Sequence, residues 1–175
     1  LLRVDLRGHG ASQPAGRATL EVWCDDLAAI LDAEGAARAV FVGHSLGAQV
    51  ALHMVQQHPR RVQALVLVEP VFCEALTPRW ARIARLGPLL DLVARVVRRL
   101  NAIGLRRRQV IPDDLRALDA MARQALLDPS SEAAFIRRYS STRHDLKQFR
   151  TAQYLQDLVE MFRPTPPLEA VAVPV

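Results

Sequence analysis

Five residues carry the chemistry most worth testing: Gly43-His44-Ser45-Leu46-Gly47, a G-x-S-x-G directly after the apolar run "RAVFVG". A serine hydroxyl is a weak nucleophile until a turn exposes it and a neighbouring base takes its proton. A sharp strand-to-helix turn would lift the Ser45 hydroxyl above a sheet, and glycines on either side would avoid clashes within so tight a bend. The motif alone is weak evidence, since chance gives it in about one chain in twenty of this length. Its setting strengthens it, because a strand precedes Ser45 and helix-forming residues follow. The plainer alternative is an ordinary N-cap serine.

The elements that must hold this serine can be read from periodicity. "LLRVDL" is a short apolar run that reads as a strand, followed by the loop "RGHGASQPAG". Thr19 is a candidate N-cap, and Leu20, Trp23, Cys24, Leu27 and Leu31 recur at helical spacing up to about Ala33. Gly35 ends that helix, and "RAVFVG" is a second strand. A second helix is expected from Ser45 to about Gln57, with Ala48, Ala51, Leu52 and Val55 as its buried stripe and Pro59 as its stop. "VQALVLVEP" is a third strand, apolar enough to be buried on both faces as parallel strands are. Alternating strands and helices argue for an α/β chain with a parallel sheet. Right-handed crossovers would place both helices on one face of it.

After Pro70 the pattern changes. Helical stretches are expected near 78–86, 89–102, 113–127, 131–139 and 145–162, broken at Gly87-Pro88, Gly104, Pro112 and Pro129. "PTPP" reads as a stiff linker and "VAVPV" as a returning strand. The expected division is a core over 1–70, a helical insertion over 71–163, and a linker with the start of a strand over 164–175.

Composition narrows the function classes. The chain has 175 residues, half of them hydrophobic, and a net charge of +5. Residues 77–150 hold 16 basic and 7 acidic side chains, a local +9. Such a segment can attract an anionic surface, but solvated helix faces explain "RVVRRL" and "LRRRQV" equally well. Aromatics interleaved for base stacking are absent, so no nucleic-acid partner is expected. No phosphate-binding glycine loop, metal-ligand cluster or dinucleotide fingerprint is present, so the chemistry is expected to need no cofactor. No apolar run is long enough to form a transmembrane segment. Two cysteines, Cys24 and Cys73, without an export signal suggest a reducing, cytoplasmic setting. The chain begins with Leu1 inside one apolar run and ends inside another, and so reads as an internal piece of a longer protein.

Taken together, these motifs resemble the α/β-hydrolase fold family. Asp5-Leu6-Arg7-Gly8-His9-Gly10-Ala11-Ser12 is similar to that family's D-x-R-G-x-G-x-S loop after its fourth strand, and "FVGHSLGA" to its nucleophile elbow after the fifth. "HPRRVQALVLVEP" resembles the sixth strand and its lead-in, the helical insertion the lid, and "VAVPV" the start of the seventh strand.

The resemblance implies roles. Ser45 would be the nucleophile and the Leu46 N–H one oxyanion-hole donor. Glu69, at the end of the sixth strand, would hold an alternative position for the triad acid, although a strand-end Glu paired to a neighbour explains it as well. His44 would be a wall residue of the substrate pocket, and His9 structural. His53, His58 and His144 are not expected to serve as the base. That base and the usual acid would follow the seventh strand, beyond Val175, and the second oxyanion donor would precede Leu1. The family's third strand, which lies between the fourth and fifth, would also be missing, leaving unpaired backbone groups. The 175-residue piece is therefore expected to be poorly folded and inactive alone.

Lid residues such as Trp80, Leu90, Phe135, Leu158 and Phe162 would favour an apolar acyl substrate, with Trp80 as a candidate substrate contact. The same residues at helical spacing also suit packing between lid helices. The expected reaction is cleavage of carboxylic esters or similar small apolar acyl compounds. Acyl transfer, perhydrolysis and C–C hydrolysis use the same serine, and a non-catalytic binding module is the alternative outside enzymology. Dehalogenase and epoxide hydrolase chemistry is disfavoured, because those relatives carry Asp where this chain carries Ser45.

Overall fold

The structure, a computed structural model, describes residues 1–12, 17–105, 115–127, 133, 136–137 and 150–175. Helix α1 spans Leu20–Ala33, and the Thr19 side chain caps it by accepting from the Val22 N–H at 3.4 Å. Gly35, at φ +66°, then turns the chain in a left-handed conformation that suits glycine. Strand β1 spans Ala39–His44, helix α2 Leu46–Gln57 and strand β2 Val62–Val68. A single 3₁₀ turn, Pro59–Arg61, links α2 to β2.

The strands pair in parallel, with Phe41 opposite Leu65, Gly43 opposite Leu67 and His44 opposite Val68. The core gathers Leu20, Trp23 and Cys24 from α1, Val50 to Leu52 with Met54 and Val55 from α2, and Val62 and Leu65 from β2. Each large side chain fully withdrawn from water there, such as Leu52, contributes about 2 kcal/mol. Helix α2 is enclosed by β1, β2, α1 and the C-terminal helix, so every residue from Ala48 to Val55 is buried. The expected stripe of four apolar positions is therefore only part of its buried surface.

Three expectations need correction. β2 is not buried on both faces: Val66 and Val68, together with Val40 and Val42 of β1, leave one face of the sheet open. "LLRVDL" forms no strand, because no neighbouring strand pairs with it, and Leu1, Leu2 and Val4 are exposed. "VAVPV" forms none either. It follows a 3₁₀ turn at Leu168–Ala170 and runs beside β2, where the Leu65 N–H donates to the Pro174 carbonyl at 2.8 Å.

Beyond β2 lie helices α3 (Pro78–Arg85), α4 (Gly87–Ala102), α5 (Leu115–Leu127) and α6 (Thr151–Met161). Gly87-Pro88 does not separate two helices from outside. It opens α4, where a proline in the first turn lacks only an N–H that would have no acceptor anyway. Most of the helix expected at 131–139, the first residues of the one expected at 145–162, and the breaks at Pro112 and Pro129 lie outside the described residues, as do His144 and Phe135. Helix α6 packs along α4 and reaches α2.

Candidate active site

Ser45 stands between the last residue of β1 and the first of α2. Its N–H donates to the Val68 carbonyl at 2.9 Å, which extends the β1–β2 ladder by one bond. Its carbonyl accepts from the Ala48 and Gln49 N–H groups at 3.0 and 3.2 Å, which starts the helix. Joining a strand to a helix over one residue forces φ to +51° and ψ to −112°. An L-residue holds such angles only where its surroundings over-determine them. Ser45 occupies the N-cap position, yet its hydroxyl makes no capping bond to α2. The Oγ donates instead to the Met161 thioether, 3.9 Å away at the end of α6.

The two glycines of the motif differ. A Cβ on Gly43 would fall far inside contact distance of the Gly47 carbonyl, so the turn closes only with glycine there. A Cβ on Gly47 would meet nothing within 4 Å, so the steric requirement expected of both flanking glycines holds at Gly43 alone.

Leu46 opens α2, so its N–H has no intrahelical acceptor and lies at the positive end of the helix dipole. Glu69 follows β2 as Ser45 follows β1, and these two are the non-glycine residues with positive φ among those described. Its Oε2 lies 3.1 Å from His44 Nε2, with the two side chains 82% and 65% exposed. A pair so open to water adds little stability.

The other described histidines also have hydrogen-bond partners other than Ser45. His9 Nε2 meets Asp157 of α6 at 3.1 Å, His53 Nδ1 meets the Gln49 carbonyl at 2.9 Å, and His58 Nε2 meets Asp25 at 2.9 Å. Burial pushes the His9 pKa down, but the hydrogen bond and charge of Asp157, with help from nearby carbonyls, outweigh it and leave the pKa raised. Trp80 stacks at a tilt on Phe162, with ring centres 5.8 Å apart, and Arg79 lies 6.0 Å over its ring. It thus touches the residue after Met161.

This strand–turn–helix and the family model for the alpha/beta hydrolase fold coincide: the model matches residues 1–89. The chain belongs to the α/β-hydrolase fold family. Among its curated relatives, lipase LipV of Mycobacterium tuberculosis is 46% identical over 66 residues, covering 38% of this chain and 25% of that protein. The sn-1-specific diacylglycerol lipase ABHD11 of Mus musculus is 38% identical over 69 residues, 39% of this chain and 22% of that one. A pimeloyl-acyl-carrier-protein methyl ester esterase of Salmonella heidelberg is 39% identical over 77 residues, 44% of this chain and 28% of that one. The matched stretches span about a quarter of these relatives' length. A thermophilic esterase from Thermogutta terrifontis shares the fold at a TM-score of 0.52 and 22% identity, over 92% of this chain and 53% of that one.

In this α/β-hydrolase chain the elbow is tied to α6 by residues the motif does not announce. Glu160 is 1% exposed, and its carboxylate accepts from the Leu20 N–H at 3.1 Å, from Gln156 Nε2 at 2.7 Å and from Arg163 at 3.1 Å. Arg163 also pairs with Glu21, and chiefly through that hydrogen bond holds the Glu21 pKa down at about 2. Met161, Glu160 and Asp157 were missed because a thioether and two carboxylates at helical spacing look like ordinary surface and packing residues. Among the described residues, no group of three or more His, Cys, Asp or Glu side chains could hold a metal ion. No described helix is long and apolar enough to cross a membrane.

Proposed function

We propose that this chain belongs to a serine hydrolase that cleaves carboxylic esters or similar small apolar acyl substrates through an acyl-enzyme on Ser45. The observation that carries this reading is the Ser45 turn: a strained backbone, a hydroxyl released from helix capping, and an unpaired helix N-terminus beside it. Strain of this kind persists where it positions a reacting group. Three curated relatives are named as lipases or an esterase, which favours ester substrates.

In this reading the Ser45 Oγ attacks the substrate carbonyl carbon and gives its proton to a base. The carbonyl oxygen becomes an oxyanion, and the Leu46 N–H donates to it. Collapse expels the alcohol, which takes the proton from the base, and water then releases the acid by the same steps. Residues 71–163 act as a lid over the core of residues 1–70, with 164–175 returning to the sheet. Trp80 and His44 contribute to the wall of the site.

None of the four described histidines takes Ser45 as its hydrogen-bond partner, so in this reading the base is a group other than these four. Glu69 orients that base if it releases His44. The 175 residues alone do not turn over esters, and the reaction needs no cofactor.

The test is labelling of the full-length protein by a fluorophosphonate. Labelling lost in Ser45→Ala supports the hydrolase. A folded protein that never labels supports a non-catalytic binding module. Product analysis with added alcohol or peroxide separates hydrolysis from acyl transfer and perhydrolysis.

A further inference from the structure

Met161 holds a place that packing alone does not require. It is the last residue of α6, and its thioether is the group the Ser45 hydroxyl touches, at 3.9 Å. Its position is fixed from both sides along the chain. On one side, the Glu160 carboxylate is bonded into the N-terminus of α1 through the Leu20 N–H at 3.1 Å. On the other, Phe162 is held by the Trp80 ring, with centres 5.8 Å apart, and its carbonyl accepts from Cys73 Sγ at 3.3 Å. The helix end that carries Met161 therefore cannot shift without breaking contacts to three separate parts of the fold, which leaves rotation of the side chain itself as the way the thioether moves.

That position bears on what can react. A carbonyl carbon must come to about 3–3.5 Å from the attacking oxygen. A sulfur at 3.9 Å from that oxygen occupies one side of the approach. The attacked carbon bears the carbonyl oxygen, the ester oxygen and the α-carbon, and of these only the α-carbon differs in branching from one substrate to another, so it is there that a thioether beside Ser45 would discriminate. Methionine is unbranched and has three rotatable side-chain bonds, so it can fold aside for a slim group. A branched group brings a second substituent into the same space and demands a larger displacement.

Resting on the hydrolase reading, we propose that Met161 is a specificity-determining residue that admits acyl groups unbranched at the α-carbon and excludes branched ones. Glu160 is a positioning residue that keeps Met161 there.

The test compares p-nitrophenyl butyrate with p-nitrophenyl 2-methylpropanoate as substrates of the full-length protein, by their ratio of kcat/KM. Wild type favours the straight ester. Met161→Ala narrows the ratio about tenfold or more, Met161→Leu leaves it within about threefold, and Met161→Phe widens it. A ratio in Met161→Ala equal to wild type, with Ser45 still labelled by a fluorophosphonate, overturns the role of Met161 and leaves the hydrolase standing. If wild type is folded and neither labels nor turns over either ester, both readings fall. If Met161→Ala does not fold, the comparison of Met161→Phe with Met161→Leu decides, and equal ratios there overturn the proposal.

Discussion

The Glu160 carboxylate closes the N-terminus of α1 by accepting the Leu20 N–H at 3.1 Å, across 140 positions of sequence. A helix end normally finds its acceptor in a nearby side chain. Here Thr19 bonds the Val22 N–H, and a carboxylate from the far end of the chain takes the first N–H group.

Removing that carboxylate takes the acceptor from the buried Leu20 N–H and the Gln156 amide, while Arg163 keeps Glu21. Glu160→Ala is expected to lower stability by about 2–4 kcal/mol and Glu160→Gln by roughly half as much. Urea unfolding of the full-length protein checks this through a lower midpoint at unchanged slope. An alanine variant that melts with wild type would show that α6 does not depend on the contact.

On the proposed hydrolase reading, stability and chemistry oppose each other at Ser45. Glycine adopts the observed φ of +51° without a Cβ penalty, whereas alanine does not. Ser45→Gly should therefore be more stable than Ser45→Ala by about 1 kcal/mol or more, with both inactive. Thermal melts of the two variants decide it, and equal melting temperatures would mean that the turn is unstrained.

Gly43 and Gly47 flank the same serine but should respond differently to alanine. Gly43→Ala drives a Cβ into the Gly47 carbonyl and should cost about 2 kcal/mol or more. Gly47→Ala meets open space inside a helix and should be neutral or stabilising by about 0.5 kcal/mol. Denaturation midpoints in parallel settle the comparison, and a larger loss at Gly47 would contradict it.

The His9–Asp157 pair makes a stability contribution with a defined sign in pH. The folded pKa of His9 is raised, so the contribution is complete below the unfolded value near 6.5 and is lost as pH rises through the folded value. The loss stays under about 1 kcal/mol because water screens a site that is partly open. Relative to Asp157→Asn, wild type should thus lose its advantage from near neutral pH upward. Urea midpoints between about pH 5.5 and pH 9 test this, and an advantage that grows with pH would reverse the assignment.

The sequence showed the elements whose determinants are local. Thr19, the helical spacing of Leu20 to Leu31, Gly35 and Pro59 all lie within or beside the structures they specify, and α1, α2, β1 and β2 stand where those residues put them. "LLRVDL" and "VAVPV" have strand composition, but a strand exists only when a neighbour pairs with it along its length: "LLRVDL" has no such neighbour in the described sheet, and "VAVPV" meets β2 through the Leu65–Pro174 bond without forming a ladder. The strand–turn–helix at Ser45 was legible because its constraint is compressed into five residues. Met161, Glu160 and Asp157 were not, since their contacts with Ser45, Leu20 and His9 join segments more than a hundred residues apart.

The enclosure of α2 on every side has a consequence for comparing natural variants. From Ala48 to Val55 no position faces water, so almost any exchange there meets a packed neighbour. Sequence drift in this stretch will be suppressed whether or not the serine ahead of it reacts. Invariance of the helix behind the elbow will therefore report on packing, and only invariance at exposed or strained positions such as Glu69 or Ser45 can be taken as a trace of selection for chemistry.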